Sequence, residues 1–296
     1  MDLDWLHDFS ALADAGSFTR AADARHVTQP AFSRRVRALE EWVGAPLFAR
    51  TAQGSRLTPA GERFNADVPG LLRTLETLRR EAREAGEPQS ATLRFAATHA
   101  LSFTFFPQWL RAIEHQTPTA SIQLLSDTMQ ACEGLMREGR ANFLLCHHHG
   151  AASGSMREPA YCAVDVGEDR LVPYARVRAP TVPAWTLGVD ADVPMLTYSE
   201  ESGLARILAA QDLRQRCPAL REVFSARLAS TLLGMVRQGD GVAWLPESLA
   251  RDCVESGEIG AAGGADWIVP MSVRLFRVAR PQGPAVEQFW RKATAA

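Results

Sequence analysis

The sequence predicts two unlike parts: a small all-α N-terminal domain built around a helix-turn-helix and closed by a short β-hairpin, and an α/β domain behind it. Three observations predict this. Apolar residues recur at helical spacing across residues 3–43, a 3.5-residue apolar repeat runs over residues 64–82, and from Ala91 strand-like and helix-like stretches alternate.

The chain has 296 residues, 46% hydrophobic and 22% charged, which suits a globular protein of about two domains. Its formal net charge is −2, yet between Arg20 and Arg56 seven arginines face three acids (Asp23, Glu40, Glu41). A local basic patch, not the whole-chain balance, is the electrostatic footprint of phosphate binding. The start, Met1-Asp2-Leu3-Asp4, has no apolar core of a signal peptide, and no apolar run reaches membrane length, so no membrane association is expected. Five cysteines (132, 146, 162, 217, 253) without a CxxC read as reduced thiols of a cytoplasmic protein.

Leu3–Ala15 is amphipathic through Trp5, Phe9 and Leu12, and Gly16 closes it. Ser17 can cap a second helix to about Arg25, whose Ala21-Ala22 pair allows close packing. After a tight turn at His26-Val27 comes "VTQPAFSRRVRALEEWVGAPLFAR". Phe32, Val36, Leu39 and Val43 repeat at i, i+4, i+7, i+11, so this stretch is a helix with Thr28 as N-cap, Pro30 in the first turn and Gly44 at its end. Pro30, Ser33, Arg34 and Arg37 then share the face opposite the apolar stripe. A helix, a tight turn, and a second helix with polar residues at its start make a helix-turn-helix, a motif that docks in a DNA groove.

These residues carry a family resemblance. "FSALADAGSFTRAADARHVTQPAFSRRVRALEEWVGAPLFART" followed by "LTPAG" resembles the N-terminal domain of LysR-type transcriptional regulators, without gaps over about sixty residues. The resemblance implies a winged helix-turn-helix over residues 1–57, with the second helix of the motif in the DNA major groove. It implies Thr28, Gln29, Pro30, Ser33 and Arg34 as the groove-facing set, to which the helical face adds Arg37. Chemically, Gln reads adenine edges, Arg reads guanine or phosphate, and Thr28 and Pro30 offer apolar contact to thymine methyls. Leu47–Thr58 reads as the wing, turning at Gln53-Gly54, with Arg50 and Arg56 placed for backbone phosphate or the minor groove.

Thr58-Pro59 is a helix start. Phe64, Val68, Leu71, Leu75, Leu78 and Ala82 follow at steps of 4, 3, 4, 3, 4, the spacing of a coiled-coil seam, with Arg73, Glu76, Arg79, Arg80 and Glu84 outside it. Residues 58–87 are therefore expected to be a dimerisation linker, as the resemblance also implies. Val68-Pro69-Gly70 inside it predicts a bend near Asp67 or a break into two helices. Gly86-Glu87-Pro88 reads as a hinge.

In the α/β part, strands are expected at Leu93–Thr98, Ile122–Ser126, Phe143–His147, Leu171–Tyr174, Met195–Tyr198, Val223–Ala226, Val242–Leu245 and Val273–Phe276. Helices are expected through Ile113 and over Met129–Glu138, Leu204–Arg216, Ser230–Gln238 and Ala285–Lys292, and the Gly/Ala stretch 257–264 is expected to be mobile. The family resemblance, carried here by "LRFAATHALSFTFFPQWL" and "LLGMVRQGDGVAWLPESLA", implies an effector domain over 91–296 similar to periplasmic binding proteins. Its subdomain I is expected at about 91–163 and 267–296 and its subdomain II at about 164–266, with the chain crossing near Ala163–Gly167 and Trp267. Ligands of open α/β sheets bind beyond strand carboxyl ends, near helix N-termini. That rule selects Thr98, His99, Ser102, His147, Ser199, Ser202, Ser230 and Thr231, a set suited to a small anion or a polar aromatic acid.

"CHHHG" at 146–150 contains zinc-type ligands, but neighbouring strand residues point to alternate faces and no second cluster stands at ligand spacing, so no metal or cofactor is expected. An enzyme using His99, His147 and Cys146 lacks an orienting acid or oxyanion arrangement in the sequence, so a non-enzyme is favoured over a hydrolase. "TYSEESG", "GVAWLPE" and "AVEQFWR" are most similar to the hypochlorite-responsive branch of the LysR family, a branch associated with methionine oxidation. The positions where a sensing methionine would be sought read Leu204 and Leu228, and Met195 and Met235 look like core residues. The expected function is thus an effector-modulated regulator that binds an operator as a dimer or tetramer and works with RNA polymerase.

Overall fold

A computed structural model describes residues 2–51, 54–86, 92–114, 121–152, 154–179 and 182–295. The chain divides into two units, Met1–Ala82 and Arg83–Ala296.

The first unit contains α1 (Leu3–Ala15), α2 (Phe18–Ala24), α3 (Gln29–Val43), the hairpin β1 (Phe48–Thr51) and β2 (Gly54–Leu57), and the long α4 (Pro59–Gly86). Gly16 and Gly44 end α1 and α3 in the left-handed conformation that only glycine adopts freely. His26 makes the turn before α3 at φ 54. Phe32, Val36 and Leu39 are fully buried, and they fasten α3 to Leu12, Ala21 and Ala22 on one side and to Leu6, Phe9 and Leu47 on the other.

Thr58 caps α4. Its Oγ1 accepts the Gly61 N–H (3.0 Å) and donates to the Pro46 carbonyl (2.7 Å). Gly61 is required by space: a Cβ there would lie 2.1 Å from the Leu47 carbonyl oxygen. The two-helix alternative for the linker is not what forms, because α4 runs unbroken through Pro69. Val68 and Leu72 flank that proline and are buried against Leu6, Phe9, Leu39 and Leu47, so tertiary packing holds the turn whose backbone bond proline removes. The same packing divides the expected seam. Phe64 and Val68 belong to their own domain's core, while Leu71 and Leu78 stay 46% and 48% exposed. The hinge expected at Gly86-Glu87-Pro88 reaches beyond the described residues.

The second unit is a curled mixed sheet between helices. Its strands are β3 (Thr92–Thr98), β4 (Ser121–Asp127), β5 (Phe143–His148), β6 (Tyr161–Ala179), β7 (Val182–Pro183), β8 (Val193–Tyr198), β9 (Leu220–Ala226), β10 (Ala243–Pro246), β11 (Ile259–Ala261) and β12 (Val269–Val278). The main order is β10-β6-β12-β5-β3-β4, with β7 and β11 also on β6 and a parallel β8–β9 pair joined through Val242. The helices are α5 (His99–Thr104), α6 (Phe106–Glu114), α7 (Met129–Arg137), α8 (Gly203–Ala209), α9 (Leu213–Arg216), α10 (Ala229–Gln238), α11 (Glu247–Glu255) and α12 (Pro284–Ala295).

Two lobes share the long strands β6 and β12. One core gathers Phe95, Phe143, Trp109 and Phe289, with Val164 of β6 and Val273 and Leu275 of β12. The other gathers Trp244, Leu232 and Tyr198, with Leu171 and Val172 of β6 and Val269 and Met271 of β12. Along β6 the core contacts change between Val166 and Leu171, and along β12 between Met271 and Val273. Three expectations are corrected. The helix expected through Ile113 is two, α5 and α6, parted at Phe105. The helix expected over Leu204–Arg216 is interrupted where Asp212 turns left-handed at φ 50. The Gly/Ala stretch is partly ordered, since β11 pairs with Tyr174–Arg176 of β6.

Candidate functional site

In the first unit, α3 presents Thr28, Gln29, Pro30, Arg34 and Arg37 to solvent, with Ser33 half-buried. Thr28 is the N-cap residue, yet its hydroxyl makes no capping hydrogen bond and stays on the exposed face. The sequence does not distinguish three near-adjacent arginines, but the fold does. Arg35 turns inward, its Nη1 3.4 Å from Asp8 Oδ2, and Arg25 Nε donates to Asp8 Oδ1 at 2.8 Å. Asp8 is fully buried, so this carboxylate joins α1 to the end of α2 and to α3. Arg34 and Arg37 keep the outer face. Arg56 is exposed on β2; the side chain of Arg50 and residue Gln53 lie outside the described residues.

In the second unit, the sequence-derived effector residues separate. Thr98, His99, His147 and Ser202 line a small cavity of about 30 Å³, together with Asp127, Met129 and Arg227, where the first turns of α5, α7, α8 and α10 meet. Thr98 Oγ1 is buried there with no hydrogen-bond partner among the described residues. His99 Nδ1 lies 3.0 Å from Ser126 Oγ, which donates to Ser102 Oγ at 2.9 Å, so Ser102 joins this cluster from behind His99. Ser202 caps α8 by accepting the Leu204 N–H. Ser199 has a buried hydroxyl but does not line the cavity, and Ser230 and Thr231 are exposed in the first turn of α10, away from it. Leu228, not Ser230, is the N-cap of that helix, which turns both hydroxyls outward.

His147 is a structural residue first. It is buried, and its Nε2 lies 3.0 Å from Asp169 Oδ2. Ser248 of α11 donates Oγ–H to the same oxygen (2.6 Å) and its N–H to Oδ1 (3.2 Å), and Ser248 Oγ lies 3.4 Å from Thr104 Oγ1. Burial alone would raise the Asp169 pKa, but the His147 and Ser248 hydrogen bonds outweigh it and hold the carboxyl below its usual range. The network ties β5 and α5 to the crossing strand β6 and to α11. Asp169 and Ser248 were not singled out from sequence, because nothing local marks either of them.

Around His147 the arrangement offers no activated nucleophile. Burial pushes the Cys146 thiol up to about 12, and the serine beside His147 bonds to the carboxylate, not to the imidazole. Among the described residues no helix is long and apolar enough to cross a membrane, and no group of three or more His, Cys, Asp or Glu is placed to hold a metal.

A helix-turn-helix with a wing, a long helix, and a two-lobed α/β domain with a polar cleft between helix starts define a DNA-binding regulator with a ligand-binding domain. Residues 3–62 match the family model of the bacterial regulatory helix-turn-helix protein, lysR family, and residues 86–296 match that of the LysR substrate binding domain. The chain belongs to the LysR family and is a DNA-binding transcriptional regulator. It is 26% identical over 288 residues to the HTH-type transcriptional regulator YjiE of Escherichia coli, covering 97% of this chain and 92% of YjiE. It is 28% identical to full-length HypT of Salmonella typhimurium, a hypochlorite-specific LysR-type regulator (TM-score 0.59; 100% of this chain, 97% of that one). DarR of Vibrio fischeri, solved in complex with DNA, is 26% identical with TM-score 0.60, covering 100% of this chain and 99% of DarR. These relatives are regulators, and the hydrolase alternative finds no support among them.

Proposed function

We propose that this regulator binds a two-fold operator as a cytoplasmic dimer or dimer of dimers, and that a small, anionic effector in the α5–α7–α8–α10 cleft changes its DNA affinity. Gln29 and Arg34 read base edges, with Thr28, Pro30, Ser33 and Arg37 beside them, and Arg50 and Arg56 hold phosphate. The observation that carries the effector reading is the unpartnered Thr98 hydroxyl where helix starts meet. Buried polar atoms normally have a partner, and helix N-termini favour negative charge. The cavity holds little more than a water in this state, so an effector larger than a compact ion must separate the lobes to enter. That motion would couple ligand to DNA, and RNA polymerase would sense the changed promoter complex.

Oxidant sensing is the second reading, prompted by the likeness to HypT. Ligand binding is preferred because Leu204 and Leu228 stand where the resemblance would place a sensing methionine. Met129, Met136, Met156, Met195 and Met271 are buried, and Met235 packs on a core. The deciding experiment titrates the protein against the intergenic DNA upstream of its own coding region at several salt concentrations, beside the Gln29→Ala/Arg34→Ala variant. Specific, salt-steep binding that the variant loses supports the operator reading. Equal behaviour of both proteins overturns it.

A further inference from the structure

The geometry points to a second ligand site: a cavity of about 520 Å³ on the face of β5, β12 and β6 that takes an uncharged aromatic molecule bearing one or two hydrogen-bonding groups.

The floor follows from strand register. Cys146 pairs with Arg274, which pairs with Asp165, and in the next row on that face Phe276 pairs with Ala163. The walls come from both lobes: Met129 and Glu133 on α7, Arg206 and Ile207 on α8, with Met156 closing one side. The cavity adjoins the proposed effector cleft but is lined mainly by other residues. Met129, His147 and Gly203 line both, and a Cβ at Gly203 would lie 3.3 Å from Met129, so the starts of α7 and α8, with His147 of β5, form a shared wall. The volume lies within the roughly 300–1,000 Å³ of small-molecule pockets.

Charge selects the ligand class. Three arginines (157, 206, 274) line the cavity against three carboxylates (Glu133, Glu158, Asp165). The two inner guanidiniums are already committed. Arg274 holds Asp165 through two bonds (2.6 and 2.9 Å), and Arg206 holds Glu133 through two (2.8 and 3.2 Å). At these two an anion would have to displace a carboxylate; Arg157 is exposed and donates its Nε–H to the Gly154 carbonyl (2.9 Å). Arg274 Nη1 lies 3.2 Å from His148 Nε2, which leaves the imidazole N–H on Nδ1. Burial and the nearby Arg274 charge both lower the His148 pKa, and burial raises that of the Tyr161 phenol, so both are uncharged hydrogen-bonding groups at neutral pH. Cys146, Met129, Met156 and Phe276 supply soft, polarisable surface for a ring. Because α7 and α8 belong to different lobes, an occupant stabilises one lobe arrangement over another.

The test is a fluorine NMR screen of the full-length protein against a fluorinated fragment set. Half the set is neutral aromatic alcohols and amides, and half is aromatic carboxylates. Neutral fragments are expected to broaden with wild type. Ala163→Trp, which fills the floor from an exposed position, should weaken them at least tenfold with an unchanged circular dichroism spectrum. Tyr161→Phe should weaken the alcohols severalfold, and Ser102→Ala beside the other cleft should change nothing. Absence of neutral hits, a preference for carboxylates among the hits that Ala163→Trp removes, or neutral hits lost in Ser102→Ala and kept in Ala163→Trp would overturn the proposal. The last pattern would still leave the effector cleft standing.

Discussion

Glu40, near the end of the recognition helix, accepts the backbone N–H groups of both Leu47 (2.7 Å) and Phe48 (3.0 Å) through one carboxylate oxygen. A single side chain thus fixes where the wing leaves α3, and therefore where Arg56 stands relative to Gln29 and Arg34. Charge-assisted bonds of this kind contribute about 1.5–3 kcal/mol each. Glu40→Ala removes both and is expected to lower the stability of the N-terminal unit by about 3 kcal/mol, the low end for a half-buried carboxylate. DNA titrations should show a shallower salt slope as the wing loses its place, and a thermal melt checks the first effect.

Arg34→Ala should cost about 1–3 kcal/mol of specific operator affinity and relax preference at one base pair, while Arg56→Ala should weaken all DNA alike and reduce the salt slope by about 1. Arg35→Ala should act differently, through stability, because Arg35 faces Asp8 and not the outer face. Binding to operator and scrambled duplexes separates the three.

Arg206 and Glu133 join the lobes, and the Glu133 side chain is only 4% exposed. Arg206→Ala leaves that carboxylate buried without its cation, which should destabilise the second unit by about 3 kcal/mol. Glu133→Gln/Arg206→Gln should recover part of the loss. Urea unfolding followed by tryptophan fluorescence reads both.

Asp169 makes stability depend on pH in a defined direction. Its native pKa lies below the ordinary 3.8, so its contribution is complete above 3.8 and is lost as pH falls through the lower native value. The stability difference between wild type and Asp169→Asn is expected to be constant above that range and to shrink below it. Denaturant midpoints measured across acid pH check this.

Leu71→Asp/Leu78→Asp should convert the proposed dimer to a monomer without unfolding it, since both residues are about half exposed within one chain. Sedimentation velocity measures the change, and Val68→Asp, in the domain core, should unfold the N-terminal unit instead.

The N-terminal unit was legible almost residue by residue. Helix 3–15, the glycine stops at 16 and 44, the start at Thr58-Pro59 and, apart from half-buried Ser33, the exposed face of α3 appear as read, because capping and amphipathic period are local properties. The effector domain was legible as alternating elements but not in its joints. Leu171–Tyr174 was visible as a strand, whereas the strand it belongs to runs from Tyr161 to Ala179, and its polar stretch carries no apolar signal.

By itself the sequence determined the helix-turn-helix, the wing, the linker repeat and the family, since each rests on residues a few positions apart. Only the tertiary structure decided which arginine turns inward to Asp8, that α4 stays whole through Pro69, that His147 serves Asp169, and that Ser230 and Thr231 miss the cleft. The reason is separation along the chain. His147 and Asp169 are 22 residues apart and Arg206 and Glu133 are 73 apart, and no local propensity records which distant partner a side chain meets.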